Sequence, residues 1–182
     1  MAATEADRAR LFFALWPPPP VQARLAALAH DLRPECGGRA MAQEKIHLTL
    51  FFVGPTERAR IAGLERAAAL AHAKPFSLGI DRIGYFRRSG VVWAGATQCP
   101  SELAELAASL RAALAQEGFA GEERPYVPHM TLLRDAVRKP SKSHVEPCPW
   151  HAHDFVLVES LPVQGAVRYE PRARWPLRQS AD

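Results

Sequence analysis

Two short segments carry the residue types that move protons. One is His47-Leu48-Thr49-Leu50, inside KIHLTLFFVG. The other is His129-Met130-Thr131-Leu132, inside YVPHMTLLR. Each is an H-x-T-L in a run rich in β-branched and aromatic residues, which reads as a strand. Strand alternation puts the His and Thr of each motif on one face and turns the intervening Leu or Met into the core. Imidazoles titrate near neutrality, so a pair of them can serve as acid and base at one pH. Splitting a cyclic phosphodiester with water needs both: one group takes a proton from the water, the other gives one to the departing ribose oxygen. Threonine hydroxyls can donate to nonbridging oxygens, where transition-state charge is greatest. Phosphoryl transfer rests on positioning and charge stabilisation, so no cofactor and no metal is expected. A lone H-x-T is common, and either histidine alone would read as a partly buried strand residue. Two copies at matching points of the chain favour function.

Arg134 follows the second motif closely enough to clamp a phosphate with its guanidinium fork. Simple alternation puts it on the face opposite His129. The clamp therefore requires a twist, a bulge or a strand end near Leu133. Cys148, His151 and His153 (CPWHAH) suggest zinc, but no second ligand pair sits at a usual spacing, so a loop with incidental histidines is expected. His30, His72 and His144 have no partners in pattern and read as surface residues. Phe12, Phe13, Phe51 and Tyr126 are strand aromatics destined mainly for the core, with Phe13 or Phe51 the candidates to stack a base.

The elements that must position these groups repeat. A strand at 10–16 precedes the turn WPPPP, which explains those prolines better than a polyproline ligand does. A helix follows at 21–32, stopped by Pro34 and Cys36-Gly37-Gly38. The first motif strand, 46–53, ends at Gly54-Pro55, and Thr56 can cap a helix reaching residue 73. Strands at 76–83 and 91–96 flank a turn at Arg87-Arg88-Ser89-Gly90. A helix at 101–116 carries Leu103, Leu106, Leu110 and Leu114 at helical spacing and leads to the second motif strand, 126–133. The segment 135–153, polar and proline-rich, reads as a loop. Strands at 155–161 and 167–175 complete the sheet. The expected architecture is α+β, bilobal, with two pseudo-symmetric sheet-and-helix lobes around a cleft that carries both motifs.

Composition sets the outer limits. The chain's 182 residues suffice for a single domain, 1–182, and 48% are hydrophobic, as in soluble globular proteins. A net charge of +4 fits an anionic partner such as RNA, but no dense basic run marks a sequence-independent polyanion binder. Three widely spaced cysteines form neither a disulfide framework nor a zinc pattern. No signal peptide and no membrane-spanning stretch is read, so a cytoplasmic protein is expected.

Four segments, RLFFALWPP, KIHLTLFFVG, PYVPHMTLLR and VESLPVQGAVRYEPRARWPL, together resemble the 2H phosphoesterase superfamily. The match is closest to its RNA 2′,3′-cyclic phosphodiesterases, historically called 2′-5′ RNA ligases. The resemblance implies metal-independent opening of a 2′,3′-cyclic phosphate at an RNA 3′ end, leaving a 2′-phosphate. It implies His47 as proton donor to the leaving 3′ oxygen and His129 as base for water. Thr49, Thr131 and Arg134 would bind the phosphate. The partners implied are RNA 3′ ends or cyclic nucleotides, met by a monomer. Many relatives carry Lys where this chain has Phe51, which removes a charge near the cleft. The alternatives are 2′-5′ ligation, which is the reverse step, and a non-catalytic RNA-end or nucleotide-binding module.

Overall fold

The computed structural model describes residues 7–121 and 125–179. Nine strands form one sheet, with β1 (Arg8–Leu15), β2 (Arg39–Ala40), β3 (Leu48–Glu57), β4 (Phe76–Phe86), β5 (Val91–Gly95), β6 (Met130–Arg134), β7 (His144–Ala152), β8 (Asp154–Val163) and β9 (Ala166–Pro176). The helices are α1 (Pro19–Cys36), α2 (Ile61–Leu70) and α3 (Ser101–Gln116). The strand order is β7-β4-β5-β6-β3-β1-β8-β9, with β2 added beside β6. The two motif strands, β6 and β3, are therefore the central neighbours, and three further strands flank each.

β3 and β6 pair antiparallel through one residue pair, Leu48 with Met130. These are the residues between His and Thr in the two motifs, and each is the first residue of its strand. The motif strands thus meet at their starts and run off in opposite directions. Leu48 and Met130 are both buried. The helices cross this narrow seam: α1, from the first half, packs on β6 and β7, and α3, from the second, packs on β3 and α2. Leu25, Leu32, Leu103, Leu106 and Leu110 join Leu48, Leu50 and Met130 in the main core on the helical face. On the other face Phe12, Ala14, Val156 and Val158 form a small second cluster, against which Trp16 and Tyr169 pack.

Several boundaries differ from the sequence expectation, each for a physical reason. β3 does not stop at Gly54-Pro55 but continues to Glu57. Beyond Leu48 its neighbour is β1 alone, so Pro55, paired with Arg10, lies in a stretch that bonds on one side only, where proline is tolerated. Thr56 is a buried strand residue rather than a helix cap, and α2 begins at Ile61. Pro34 lies inside the last turn of α1, which closes when the Gly37 N–H donates to Arg33 O at 2.8 Å. The expected loop 135–153 contains β7, an edge strand against β4. Its prolines, Pro147 and Pro149, are tolerated because an edge strand needs only one side of its ladder. Cys148, Trp150 and Ala152 alternate inward, so His151, on the intervening face, lies away from Cys148.

Candidate active site

The register places the motif residues. Extending the Leu48–Met130 pair by one residue each way sets His47 opposite Thr131 and Thr49 opposite His129. All four lie on the face away from the helices and line one cleft of about 990 Å³. Each histidine faces its own threonine along the strand and the other threonine across the seam.

The two rings are held alike. His47 Nδ1 donates to Lys45 O at 2.7 Å, and His129 Nδ1 donates to Val127 O at 2.7 Å. A carbonyl can only accept, so Nδ1 carries the proton and the neutral ring keeps its lone pair on Nε2. The hydroxyl of Thr49 lies 3.1 Å from His47 Nε2 and donates to it while the ring is neutral. The Tyr126 hydroxyl donates to Thr49 O at 3.0 Å, which fixes the first motif strand to the segment ahead of the second. Burial pushes the Tyr126 pKa up, so this donor keeps its proton.

The surroundings of the rings differ. His47 stacks on Phe12, with centroids 4.8 Å apart, and on Trp16, at 5.2 Å with planes 2° apart. Tyr169, from β9, meets it edge-on at 5.4 Å. Burial lowers the His47 pKa to about 4; its bond to Lys45 O opposes this, while the nearby Arg134 and His129 add to it. His129 meets the edge of Phe86 at 4.9 Å and lies 6.2 Å from Trp93.

Arg134 does line the cleft. The reason is a β-bulge. Val92 pairs with Leu133 but Trp93 pairs with Thr131, so Leu132 is an extra residue on β6. Leu132 and Leu133 are both buried, and Arg134 returns to the face of Thr131. β3 has the same device. Phe13 pairs with Phe51 and Ala14 with Thr49, leaving Leu50 extra. Leu50 and Phe51 are buried, and Phe52, three residues after Thr49, emerges 44% exposed into the cleft. Phe52 is thus the first-half counterpart of Arg134, and among the aromatics that line the cleft it is the exposed one, the others being buried or half-buried. Phe13, fully buried against Phe155 and Trp175, is not available to stack a base, and Phe51 shows the cleft only a small edge.

Lys45, Arg87, Arg88 and Arg111 also line the cleft, and no carboxylate does among the described residues. Sequence reading singled out none of these cations, because they come from the segment before β3, the β4–β5 turn and α3, and only tertiary structure assembles them. The zinc idea gains nothing: His151 lies 3.1 Å from Ser77 Oγ, His153 pairs with Asp154, and Cys148 is buried. No group of three His, Cys, Asp or Glu among the described residues could hold a metal. No helix among them is long and apolar enough to cross a membrane.

Comparisons with known proteins agree with this geometry. Residues 17–161 match the family model of the 2′-5′ RNA ligase superfamily. An RNA 2′,3′-cyclic phosphodiesterase of Escherichia coli is 35% identical over 93% of this chain and 97% of its own length. One from Thermus thermophilus is 33% identical over 83% of this chain and 81% of its own. The crystal structure of E. coli LigT complexed with 3′-AMP superposes with a TM-score of 0.87 at 34% identity, covering 94% of this chain and 99% of that one. With two H-x-T motifs meeting at the seam of one sheet, and with the family model spanning most of its length, this chain belongs to the 2′-5′ RNA ligase superfamily.

Proposed function

We propose that this chain hydrolyses the 2′,3′-cyclic phosphate at an RNA 3′ end and leaves a 2′-phosphate. The observation that carries this reading is the pair of histidines, each tautomerically fixed through Nδ1, set diagonally with two threonines in a cleft walled by cations. His129 Nε2 takes a proton from water as its oxygen attacks phosphorus. The P–O3′ bond breaks, and His47 Nε2 gives its proton to the departing 3′ oxygen. Thr49, Thr131 and Arg134 hold the nonbridging oxygens as charge builds there. Relatives named RNA 2′,3′-cyclic phosphodiesterase, and LigT structures holding 3′-AMP or ATP, support a nucleotide in this cleft. Ligation is the same displacement with an RNA 5′ hydroxyl in place of water: that hydroxyl attacks phosphorus, the P–O3′ bond breaks and the 3′ oxygen takes the proton, with the same residues in the same roles. A purely binding module would not need two titratable rings. The chain acts as a cytoplasmic monomer.

The donor role requires a charged His47, whereas burial alone favours the neutral ring at pH 7. Substrate supplies the opposing charge. A unit negative charge about 4 Å away contributes about 4 kcal/mol at an effective dielectric of 20, or about three pKa units. Anion binding therefore brings a proton onto His47. Sulfate does not itself titrate near neutrality, so calorimetry with sulfate at pH 6–7, in buffers of different ionisation enthalpy, should show uptake approaching one proton. His47→Gln should abolish that uptake. Absence of uptake in the wild type would mean that His47 stays neutral, and the two roles would be exchanged.

Phe52 is the platform for the terminal base. Base–aromatic stacking contributes about 1–3 kcal/mol, so Phe52→Ala should raise KM for a cyclic nucleotide by roughly five- to a hundredfold, with kcat little changed. A fall in kcat at constant KM would contradict this placement.

Incubation with an oligonucleotide ending in a 2′,3′-cyclic phosphate, in EDTA, tests the reading as a whole. Acid, base and phosphate donors are all side chains, so turnover should persist in the chelator. Loss in EDTA with recovery on added zinc would refute the metal-independent reaction.

A further inference from the structure

We propose that the β4–β5 turn, together with Lys45, forms a second phosphate site for the nucleotide upstream of the reacting end, so that the enzyme prefers an RNA chain to a mononucleotide. This rests on the reading that the cleft takes an RNA cyclic phosphate.

The cleft is polarised along its length. Because β3 and β6 start at the seam and diverge, the direction of β3 leads to Phe52, and the direction of β6 leads to Arg134. The β3 end is mainly apolar and aromatic, with Phe52, Tyr126 and Val127, and its one lining cation among the described residues is Arg111, on the side of Phe51. The β6 end is cationic. Lys45 belongs to it, because the segment before His47 runs back beside β6, with Met41 N–H donating to Leu132 O at 2.8 Å. Arg87 and Arg88 belong to it through the turn at 87–90. That turn is docked on the end of β6: Ala136 N–H donates to Gly90 O at 2.8 Å, and the Tyr85 hydroxyl donates to Ala136 O at 3.0 Å. Gly90 closes the turn at φ 61°, a conformation that suits glycine. The guanidiniums of Arg87 and Arg88 are exposed, yet their backbone is anchored.

Charge matching points to more than one phosphate. Lys45, Arg87, Arg88 and Arg134 make no ion pair with a carboxylate among the described residues. Arg39, close by, is held by Asp135 at 2.6 Å. A cyclic phosphate carries a single negative charge, which Arg134 and the motif hydroxyls can meet. Three further cations at one end exceed that need. A 3′-terminal nucleotide has two extensions from its ribose, the base and the 5′ oxygen. With the base on Phe52, the 5′ oxygen and the phosphodiester beyond it go toward the opposite, cationic end. Guanidinium forks match that phosphate.

The test compares adenosine 2′,3′-cyclic phosphate with the dinucleotide ApA ending in the same group. The wild type should show kcat/KM about tenfold or more higher for the dinucleotide, the scale of one charge-assisted hydrogen bond. Its dependence on log salt should be steeper by about 0.7, the value for one added phosphate contact on a single strand. Arg87→Ala combined with Arg88→Ala, on an exposed turn, should remove most of the dinucleotide advantage and cost the mononucleotide far less. Equal wild-type values, or the same loss on both substrates in the variant, would overturn the second site. Affinities for adenosine 2′-phosphate and ApA 2′-phosphate separate the two readings. If neither cyclic phosphate is hydrolysed, the hydrolase reading fails. Tighter binding of the dinucleotide product, lost in the double variant, would still establish the site, and equal binding would overturn it.

Discussion

His47→Gln and His129→Gln should each lower turnover of a cyclic phosphate by at least about a hundredfold, the lower end of what general acid–base catalysis contributes. The two rings hold equivalent positions at the seam, and neither threonine hydroxyl can replace an imidazole as acid or base. Folding should survive both changes. Glutamine keeps much of the ring's volume, and the core beneath the motifs is made by Leu48 and Met130, which are unchanged. His47→Gln carries the greater structural risk, since His47 stacks on both Phe12 and Trp16. A circular dichroism melt should accompany the kinetics. The double variant should be scarcely worse than either single one, because groups that act as a unit are not additive. Near wild-type turnover in either single variant would remove that histidine from the chemistry.

Gly84→Ala should lower turnover by about a hundredfold while touching no substrate. Gly84 pairs with Trp93 across β4 and β5, and the Trp93 indole fills the space that a Cβ on Gly84 would occupy. A Cβ at Gly84 would coincide with ring atoms Cζ2 and Cε2, so the indole must move. Trp93 Nε1 makes no hydrogen bond among the described residues, so packing and the Arg82 guanidinium, 5.6 Å over the ring, locate the indole. Phe86 lies 5.4 Å from Trp93, and both contact His129. Displacing the indole therefore shifts the wall behind the base. A misplacement of about 1 Å can cost a hundredfold in rate, whereas overpacking costs only about 1–3 kcal/mol of stability. Adding Trp93→Phe to Gly84→Ala should recover part of the rate, since the smaller ring leaves room for the Cβ. A Gly84→Ala enzyme with ordinary kinetics, or a double variant no better than the single one, would show that this wall does not position His129.

The sequence made the motifs and most long elements legible, because each carried a local signal. The strand patterns of β8 and β9 and the leucine spacing of α3 lie where their periodicity placed them, whereas the motif strands expected at 46–53 and 126–133 begin only at Leu48 and Met130, so His47 and His129 stand just ahead of them. What stayed hidden was non-local or differed by one residue. The bulges at Leu50 and Leu132 appear in sequence only as consecutive apolar residues, yet they decide that Phe52 and Arg134, rather than their neighbours, face the cleft. β7 was masked by two prolines that an edge position excuses. Phe13 and Phe51 read from sequence as the aromatics free to stack a base, and only packing, which buries Phe13 against Phe155 and Trp175 and Phe51 in the core, leaves that place to Phe52. The cations at 45, 87, 88 and 111 carry no motif. Tyr169 reaches His47 from a hairpin more than a hundred residues downstream.

The position of the product phosphate tests the two-histidine hydrolysis most directly. The wild-type enzyme should be incubated in EDTA and ¹⁸O-labelled water with an oligonucleotide ending in a 2′,3′-cyclic phosphate. The expected product is a 2′-phosphate carrying one ¹⁸O atom, because water attacks phosphorus once while His47 protonates the 3′ oxygen. A 3′-phosphate, or a product without label, would contradict this hydrolysis.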